Sequence, residues 1–306
     1  MKSAVFHHLL KSCRLCPRRC GVDRLSGAVG ACLAGLRPKL ALAELHHWEE
    51  PCLSGTRGSG AVFFSHCSLR CLFCQNHAIS QGGFGKEVTE ERLSEIFLEL
   101  EARGAHNINL VSPTHYLPQV AGALARARRQ GLTLPVVYNS SGYEEVEALR
   151  HLEGLVDIYL PDCKYADDGL ARRYSAAPSY FEAATSALQE MLRQVGTPAL
   201  GRDGIMRRGL MIRHLVLPGH LENTRRVLAW IADHLPKEVY LSLMAQYTPL
   251  HRASEVPELN RRLTPEEYEA AVSCALDLGL EHGYLQELEA AVETWVPRFD
   301  LRGVEP

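Results

Sequence analysis

The sequence has no long hydrophobic run and no marked excess of charge of either sign. None of its apolar stretches approaches the roughly 18 residues that a membrane-spanning helix needs, so no membrane span is expected. Residues 1–8 also lack the apolar core of a secretory signal peptide, which predicts a cytoplasmic location. The 33 lysines and arginines meet 36 acidic residues. This balance leaves no overall field to attract a nucleic acid, and no such partner is expected.

Cysteine, in contrast, is abundant, with ten residues in a chain of 306. In a reducing cytoplasm, clustered thiols are more typical of metal ligands than of disulfides. Seven of these cysteines fall into two groups that contain short, metal-binding spacings. The first group is Cys67, Cys71 and Cys74, and the second is Cys13, Cys16, Cys20 and Cys32.

The first group has the spacing C-x3-C-x2-C and directly follows a short apolar run. A loop of that length lets three sulfurs face one small metal centre. A four-iron cluster normally takes four thiolates, so three would leave one iron free for another ligand. Phe73 would lie beside that iron and could pack on a flat ligand. With His77, the same cysteines also form a plausible tetrahedral zinc set, and the residues alone leave this alternative open.

The sequence around these cysteines resembles that of the radical S-adenosylmethionine (SAM) enzymes. The run Cys71-Leu72-Phe73-Cys74-Gln75-Asn76 is similar to the CxΦCxN run of the members that activate glycyl radical enzymes. Residues 13–22 and 53–60 resemble a narrower group, the PflX-type proteins, which are relatives of the pyruvate formate-lyase activating enzyme. The resemblance extends from Cys13 to about Thr248.

This resemblance implies a [4Fe–4S] cluster on Cys67, Cys71 and Cys74, with SAM bound to the open iron through its amino and carboxylate groups. A reductant such as flavodoxin or ferredoxin would supply the electron that cleaves SAM to methionine and a 5′-deoxyadenosyl radical. The radical would abstract a hydrogen atom from the substrate, while the protein positions the reactants and excludes water.

The implied target is a glycine α-hydrogen in a partner protein, a glycyl radical enzyme, which would make this chain an activating enzyme. Hydrogen abstraction from a small molecule or from another protein side chain is a second hypothesis within the same chemistry. A hypothesis of a different class is a non-catalytic metalloprotein, either an iron–sulfur electron carrier or a zinc-stabilised interaction module.

Residues 1–55 predict a cysteine-rich metal-binding module, because the segment is short, rich in turns and poor in apolar residues. Its cysteines have the pattern C-x2-C-x3-C-x11-C, which suits either zinc or a second iron–sulfur cluster. Four unrelated reduced thiols are the structural alternative.

Residues 56–250 alternate short apolar runs with amphipathic helical stretches, the pattern of buried parallel strands joined by helices. Six repeats predict an α/β fold, a partial (β/α)6 TIM-like barrel, which the resemblance also implies. Residues 251–306 are predicted to be a helical C-terminal extension that caps the barrel, with a helix over 285–295. The predicted strands are residues 61–64, 108–111, 135–138, 156–160, 211–217 and 239–244.

Several helices and one turn carry explicit sequence signals. Thr89 is predicted to cap a helix, and another helix is predicted to end before Gly196. Thr264-Pro265-Glu266-Glu267 is a capping box with proline at the first helical position. Residues 198–209 contain Arg202-Asp203-Gly204, which predicts a hairpin turn and a short flap beside the site.

Polar residues follow the predicted strands, where the reactive groups of such a barrel gather. Ser112-Pro113-Thr114 stands where many radical SAM enzymes carry a Gly-Gly-Glu run that contacts the SAM amino group. The resemblance therefore implies this contact for Ser112 or Thr114. Asn139-Ser140-Ser141-Gly142 is similar to a Thr-Asn-Gly run of the activating enzymes, and Asp162 and Lys164 to their Asp-x-Lys. The predicted cofactor-binding residues are Phe73, Asn76, Ser112, Thr114, Asn139, Ser141, Asp162 and Lys164.

Each of these residues also has a structural interpretation. Asn139 and Ser141 are common turn formers, and Asp162 and Lys164 could form a structural ion pair. His115 and His220 could relay protons near neutral pH or could be structural.

Overall fold

The computed structural model describes residues 8–288 and 297–305, and within them ten strands form one sheet. In chain order the strands are β1 (Lys39–His46), β2 (Ser59–Phe64), β3 (Lys86–Glu87), β4 (Ile108–Val111), β5 (Val136–Ser140), β6 (Ile158–Pro161), β7 (Ala199–Leu200), β8 (Met206–Leu215), β9 (Tyr240–Met244) and β10 (Gly283–Leu285).

Seven of these strands lie parallel and side by side, in the order β2-β4-β5-β6-β8-β9-β10. The register places Ile108 of β4 opposite Gly60 of β2 and Val136 of β5, so their carboxyl ends meet at one edge. Strand β1 extends the sheet antiparallel to β2, with β3 beyond it. The order leaves the sheet open and confirms the predicted partial barrel.

Helices cover this sheet and join most of its parallel strands. They are α1 (Pro51–Ser54), α2 (His77–Ser80), α3 (Glu90–Ala102), α4 (Leu117–Arg129), α5 (Val146–Arg150), α6 (Asp168–Ser175), α7 (Tyr180–Val195), α8 (Leu221–His234) and α9 (Pro265–Asp277). In the part of the chain that the structure describes, no helix is long and apolar enough to cross a membrane.

The helix signals in the sequence are confirmed. The Thr89 side chain accepts a hydrogen bond from the Arg92 backbone N–H, and α3 buries Leu93, Ile96, Phe97 and Leu100 against the core. Helix α7 ends at Gly196, which has a positive φ of 73°. At the start of α9, Thr264 and Glu267 form both hydrogen bonds of the capping box.

Three predictions are corrected by the strands. Residues 39–46 fall within the turn-rich segment 1–55, yet they form β1 and pair with β2. The helix predicted over 285–295 is wrong at its start, because Leu285 ends β10, and residues 289–296 lie outside the described residues. The domain boundaries at residues 55 and 250 stay predictions.

The third correction concerns the flap. The turn at Asp203 does join a hairpin, in which Ala199 of β7 lies opposite Arg208 of β8. This pairing involves the amino-terminal half of β8, whereas reactive groups gather at the carboxyl ends of the parallel strands. The hairpin therefore does not flank the site.

Segments from both ends of the chain are fixed to the barrel by polar contacts. Arg24 is buried, and its guanidinium donates to the carbonyl oxygens of His115 and Gly35. Near the C-terminus, the Leu301 N–H donates to the Ala41 carbonyl of β1 at 3.0 Å. The Ala43 N–H of the same strand donates to the Arg302 carbonyl at 2.9 Å. The cysteine-rich segment and the residues after 297 thus pack on the same body as the sheet.

Candidate active site

A cavity of about 710 Å³ opens at the carboxyl ends of the parallel strands. Residues after β4, β5 and β6 reach it together with the loop that follows β2, as the parallel topology dictates. Of the residues predicted from the sequence, the cavity brings together Cys67, Cys71, Cys74, Phe73, Asn76, Ser112, Asn139, Ser141, Asp162 and Lys164.

The cysteine loop is held in place by the end of α6. The backbone N–H groups of Arg70 and Leu72 donate to the carbonyls of Ser175 and Tyr174, at 2.9 and 2.8 Å. The Ser175 hydroxyl donates to the Cys71 sulfur at 3.0 Å. These contacts fix where the three thiols face, because the loop backbone cannot shift without breaking them.

The three thiols are mutual neighbours in a buried environment. Burial raises the pKa of Cys67 to about 12 and that of Cys74 to about 11, and the nearby Cys71 adds to both shifts. Burial likewise raises the pKa of Cys71, although Lys164 and the Ser175 hydroxyl oppose the change. Protonated thiols are therefore stable here without a metal, and binding a metal would release their protons.

The zinc alternative depended on His77. Its exposed ring stacks on His251, with ring centroids 4.6 Å apart, and is not among the described residues that line the cavity. Within residues 8–288 and 297–305, no group of three or more His, Cys, Asp or Glu side chains is arranged so that it could hold a metal ion. A four-iron cluster makes a different demand, because each thiolate binds a different iron. Three half-buried thiols that face one cavity suit such a cluster.

The predicted neighbours of the thiols lie around them. Phe73 packs against Tyr247, with centroids 5.6 Å apart, and both rings line the cavity. The Asn76 side-chain oxygen is buried and has no hydrogen-bond partner among the described residues, so it is free to accept one from a ligand. Ser112 has a φ of +59° and its N–H donates to Asn139, a strained backbone of the kind found at ligand sites.

Asp162 and Lys164 form an ion pair that Arg213 extends. The Lys164 Nζ lies 2.5 Å from Asp162 Oδ2, and Arg213 Nε lies 3.2 Å from Asp162 Oδ1. Burial alone would raise the pKa of Asp162, but these two cations outweigh it and hold the pKa below its usual value. For Lys164, burial opposes the charged form, while Asp162 and Cys71 raise its pKa overall. Both groups are therefore charged at neutral pH.

Sequence reasoning missed Arg213 and Glu49. Arg213 also donates to Asn139 Oδ1 at 2.6 Å and lies 3.3 Å from Glu49 Oε2, while Glu49 Oε1 accepts from Asn109 at 2.9 Å. One signal was available, since Arg213 is a charged residue inside an apolar strand. Asn139 is thus fixed through its side chain, which favours a site role over the turn-former interpretation.

The sequence pattern of the Radical SAM superfamily matches residues 61–231. The chain belongs to this superfamily. An uncharacterized protein of Methanocaldococcus jannaschii, MJ0674, is 31% identical over 293 residues, covering 92% of this chain and 79% of the relative. The matched region begins in β2, just before the cysteine loop. Membership of the superfamily implies that the protein uses a [4Fe–4S] cluster and SAM.

Two solved structures resemble this one in part. A domain of a pyruvate-formate lyase-activating enzyme from Bacteroides vulgatus is 13% identical, with a TM-score of 0.44 over 60% of this chain and 100% of that domain. The protein anSMEcpe with bound AdoMet is 12% identical, with a TM-score of 0.47 over 74% of this chain and 58% of its own. Both TM-scores lie below 0.5, so the assignment to the superfamily rests on the sequence matches.

Three residues singled out in the sequence lie outside the set of described residues that line this cavity. Thr114 is buried, and its hydroxyl donates to Glu144 Oε1 at 2.8 Å, away from the cavity lining where the sequence predicted it. His115 is buried against the Ser65 carbonyl, and burial lowers its pKa to about 3. His220 contacts the Tyr174 hydroxyl at 2.9 Å. Of the two residues predicted to contact the SAM amino group, Ser112 lines the cavity and Thr114 does not.

The N-terminal cysteines form a second group, apart from the cavity lining. Cys13, Cys16 and Cys32 are buried, and Cys20 is half-buried. Burial raises the pKa of Cys16 to about 12, and the other three thiols are close enough to raise it further. The structure therefore places the four side chains near one another, although as they stand they are not arranged to hold a metal ion.

Proposed function

We propose that this radical SAM enzyme holds its [4Fe–4S] cluster on Cys67, Cys71 and Cys74 and binds SAM in the adjoining cavity. The observation that carries the proposal is that three half-buried thiols and the Asp162–Lys164 pair face the same cavity. When bound, the cluster supplies the electron that cleaves SAM to methionine and a 5′-deoxyadenosyl radical. A reductant such as flavodoxin or ferredoxin would deliver that electron.

Each lining residue then has a defined task. Lys164, which is charged and buried, would attract the SAM carboxylate, and the hydroxyl or backbone carbonyl of Ser112 would accept from its amino group. Phe73 and Tyr247 offer flat apolar faces to the adenine, and Asn76 offers an unpaired oxygen. Asn139 and Ser141 complete the polar wall. Burial of the whole set limits the access of water to reactive intermediates.

The reaction proposed for the substrate is hydrogen abstraction from a glycine in a glycyl radical enzyme. The similarity of residues 71–76 to the activating enzymes supports it. Abstraction from a small molecule or another protein side chain uses the same site and is the second candidate. Electron paramagnetic resonance would separate the two, because activation leaves a glycyl radical on a partner that co-purifies anaerobically.

The experiment that tests the proposed chemistry measures 5′-deoxyadenosine after anaerobic reconstitution with iron, sulfide, SAM and a strong reductant. Wild-type protein should form it. Cys71→Ala should form none above background, because the cluster loses one of its thiolates. Cys274→Ala is the matched control, since Cys274 lies in α9 away from both cysteine groups, and should behave as wild type. Equal product from Cys71→Ala and wild type would overturn the proposal.

A further inference from the structure

The interior end of the cavity contains a buried carboxylate that the SAM site does not use. Glu50 immediately precedes α1, where a side chain could cap the helix, but its carboxylate makes no capping hydrogen bond. Instead the residue lines the cavity and is only 8% exposed. Its side chain is therefore directed away from the helix terminus and into the barrel.

The charged neighbours of Glu50 are already paired with one another. Arg213 binds Asp162, Glu49 and Asn139, and Lys164 binds Asp162. In contrast, Glu50 Oε2 is buried and has no hydrogen-bond partner among residues 8–288 and 297–305, and the neutral Ser242 hydroxyl nearby lowers the pKa of the Glu50 carboxyl without supplying a charge. A buried acceptor without a partner is unfavourable, more so if it is charged, and a ligand that supplies a donor removes that penalty.

The charges in the cavity interior also favour a bound cation. Among the described lining residues there, three carboxylates, Glu49, Glu50 and Asp162, face two cations, Lys164 and Arg213. One negative charge is left over when all five are ionised. Burial raises the pKa of the Glu50 carboxyl despite the opposing charge of Arg213. A cation beside it would lower that pKa again and remove the excess negative charge.

We propose that this end of the cavity binds a cationic nitrogen of the substrate, an ammonium or guanidinium group that donates to Glu50. The proposal rests on the radical SAM function of the same cavity and specifies the class of substrate. The group to be recognised carries several N–H donors, and a carboxylate accepts them better than any neutral side chain does. The reacting carbon would then lie between this contact and the SAM site.

The test measures binding by isothermal titration calorimetry to anaerobically reconstituted protein, with and without SAM. The probes are butylamine and butylguanidine, which distinguish the two cations, with neutral 1-butanol and anionic butyrate for comparison. At least one cationic probe should bind about tenfold or more tightly than 1-butanol, as a charged hydrogen bond requires. Equal binding of all four probes, no binding of either cation, or tighter binding of butyrate would overturn the proposal.

Variants locate the contact. Glu50→Gln should lose about tenfold or more in affinity for the cation, because the amide keeps the shape but removes the charge. Glu287→Gln makes the same change at an exposed lining position of the same cavity and should leave affinity unchanged. Unchanged affinity in Glu50→Gln would contradict the assignment. The selectivity of the wild-type protein stands as a test even if Glu50→Gln folds poorly.

The same samples separate this proposal from the proposed function. If wild-type protein binds the cations but cleaves no SAM, the radical chemistry fails and the binding assignment stands. If it cleaves SAM and the cations do not bind, the assignment fails alone.

Discussion

At the scale of single residues, Arg213 links the separate elements of the cavity. It contacts Asp162 after β6, Asn139 at the end of β5 and Glu49 just before α1. These elements are far apart in the sequence, so no local pattern could have revealed the network. The cysteines, in contrast, were predictable, because their ligand spacing lies within one short loop.

Arg213→Met should lower the free energy of unfolding by about 3 kcal/mol, because it leaves the largely buried Glu49 carboxylate without a cation, while Asp162 keeps Lys164. Arg207→Met is the control, since Arg207 pairs with Asp203 on the exposed hairpin and should cost about 1 kcal/mol or less. Urea unfolding at pH 7 measures both. A loss in Arg213→Met no larger than in Arg207→Met would contradict the buried network.

The buried carboxyl of Glu144 should make the stability of the fold depend on pH. Burial raises the pKa of its carboxyl from 4.5 to about 7. The folded state therefore binds the Glu144 proton more tightly than the unfolded chain does. The stability that this proton adds to the fold is fully present below pH 4.5 and is lost as the pH rises to 7. Relative to Glu144→Gln, the wild type should lose about 3 kcal/mol across that window.

Unfolding by urea at several pH values would measure this difference. Glu145→Gln is the control, because it makes the same change at a neighbouring carboxylate that pairs with exposed Arg19, and it should cost about 1 kcal/mol or less. A stability difference between wild type and Glu144→Gln that does not change with pH would show that the Glu144 pKa is not raised.

At the scale of elements, the sequence predicted best where the signal is local. The caps of α3 and α9 and the six apolar strand runs need no information from distant residues. Strand β1 was missed because its Lys-Leu-Ala-Leu-Ala-Glu-Leu run has little β-branched content, and pairing with β2 makes it a strand. Strand β10 has three residues, too few for a periodic pattern.

The capping box of α9 makes a prediction at this scale. Thr264→Ala should cost about 1 kcal/mol of stability, because the Glu267 N–H loses its acceptor. Thr264→Ser keeps the oxygen and should retain most of that stability. Thermal or urea unfolding would measure both, and equal losses in the two variants would show that the cap hydrogen bond contributes nothing.

At the scale of the whole molecule, the cysteine-rich segment packs on the barrel, because Leu15 and Cys32 lie in the main hydrophobic core and Arg24 donates to the His115 carbonyl. Its four thiols lie near one another but are not spaced to hold a metal ion as they stand, and we propose that zinc or a second iron–sulfur cluster draws them together on binding. Cys16→Ala should then lower metal content by the equivalent of one site while leaving SAM cleavage measurable. Elemental analysis for iron, zinc and sulfide identifies the metal. Metal content identical to wild type would contradict a second site.

The account depends on one iron of the cluster being open to SAM. Electron–nuclear double resonance of the reduced, reconstituted protein, with SAM labelled at its amino nitrogen and carboxylate oxygen, tests this most directly. We predict hyperfine coupling from both labels to the cluster in wild-type protein and none in Cys71→Ala. A four-iron cluster without coupling to either label, or zinc in place of iron at Cys67, Cys71 and Cys74, would contradict it.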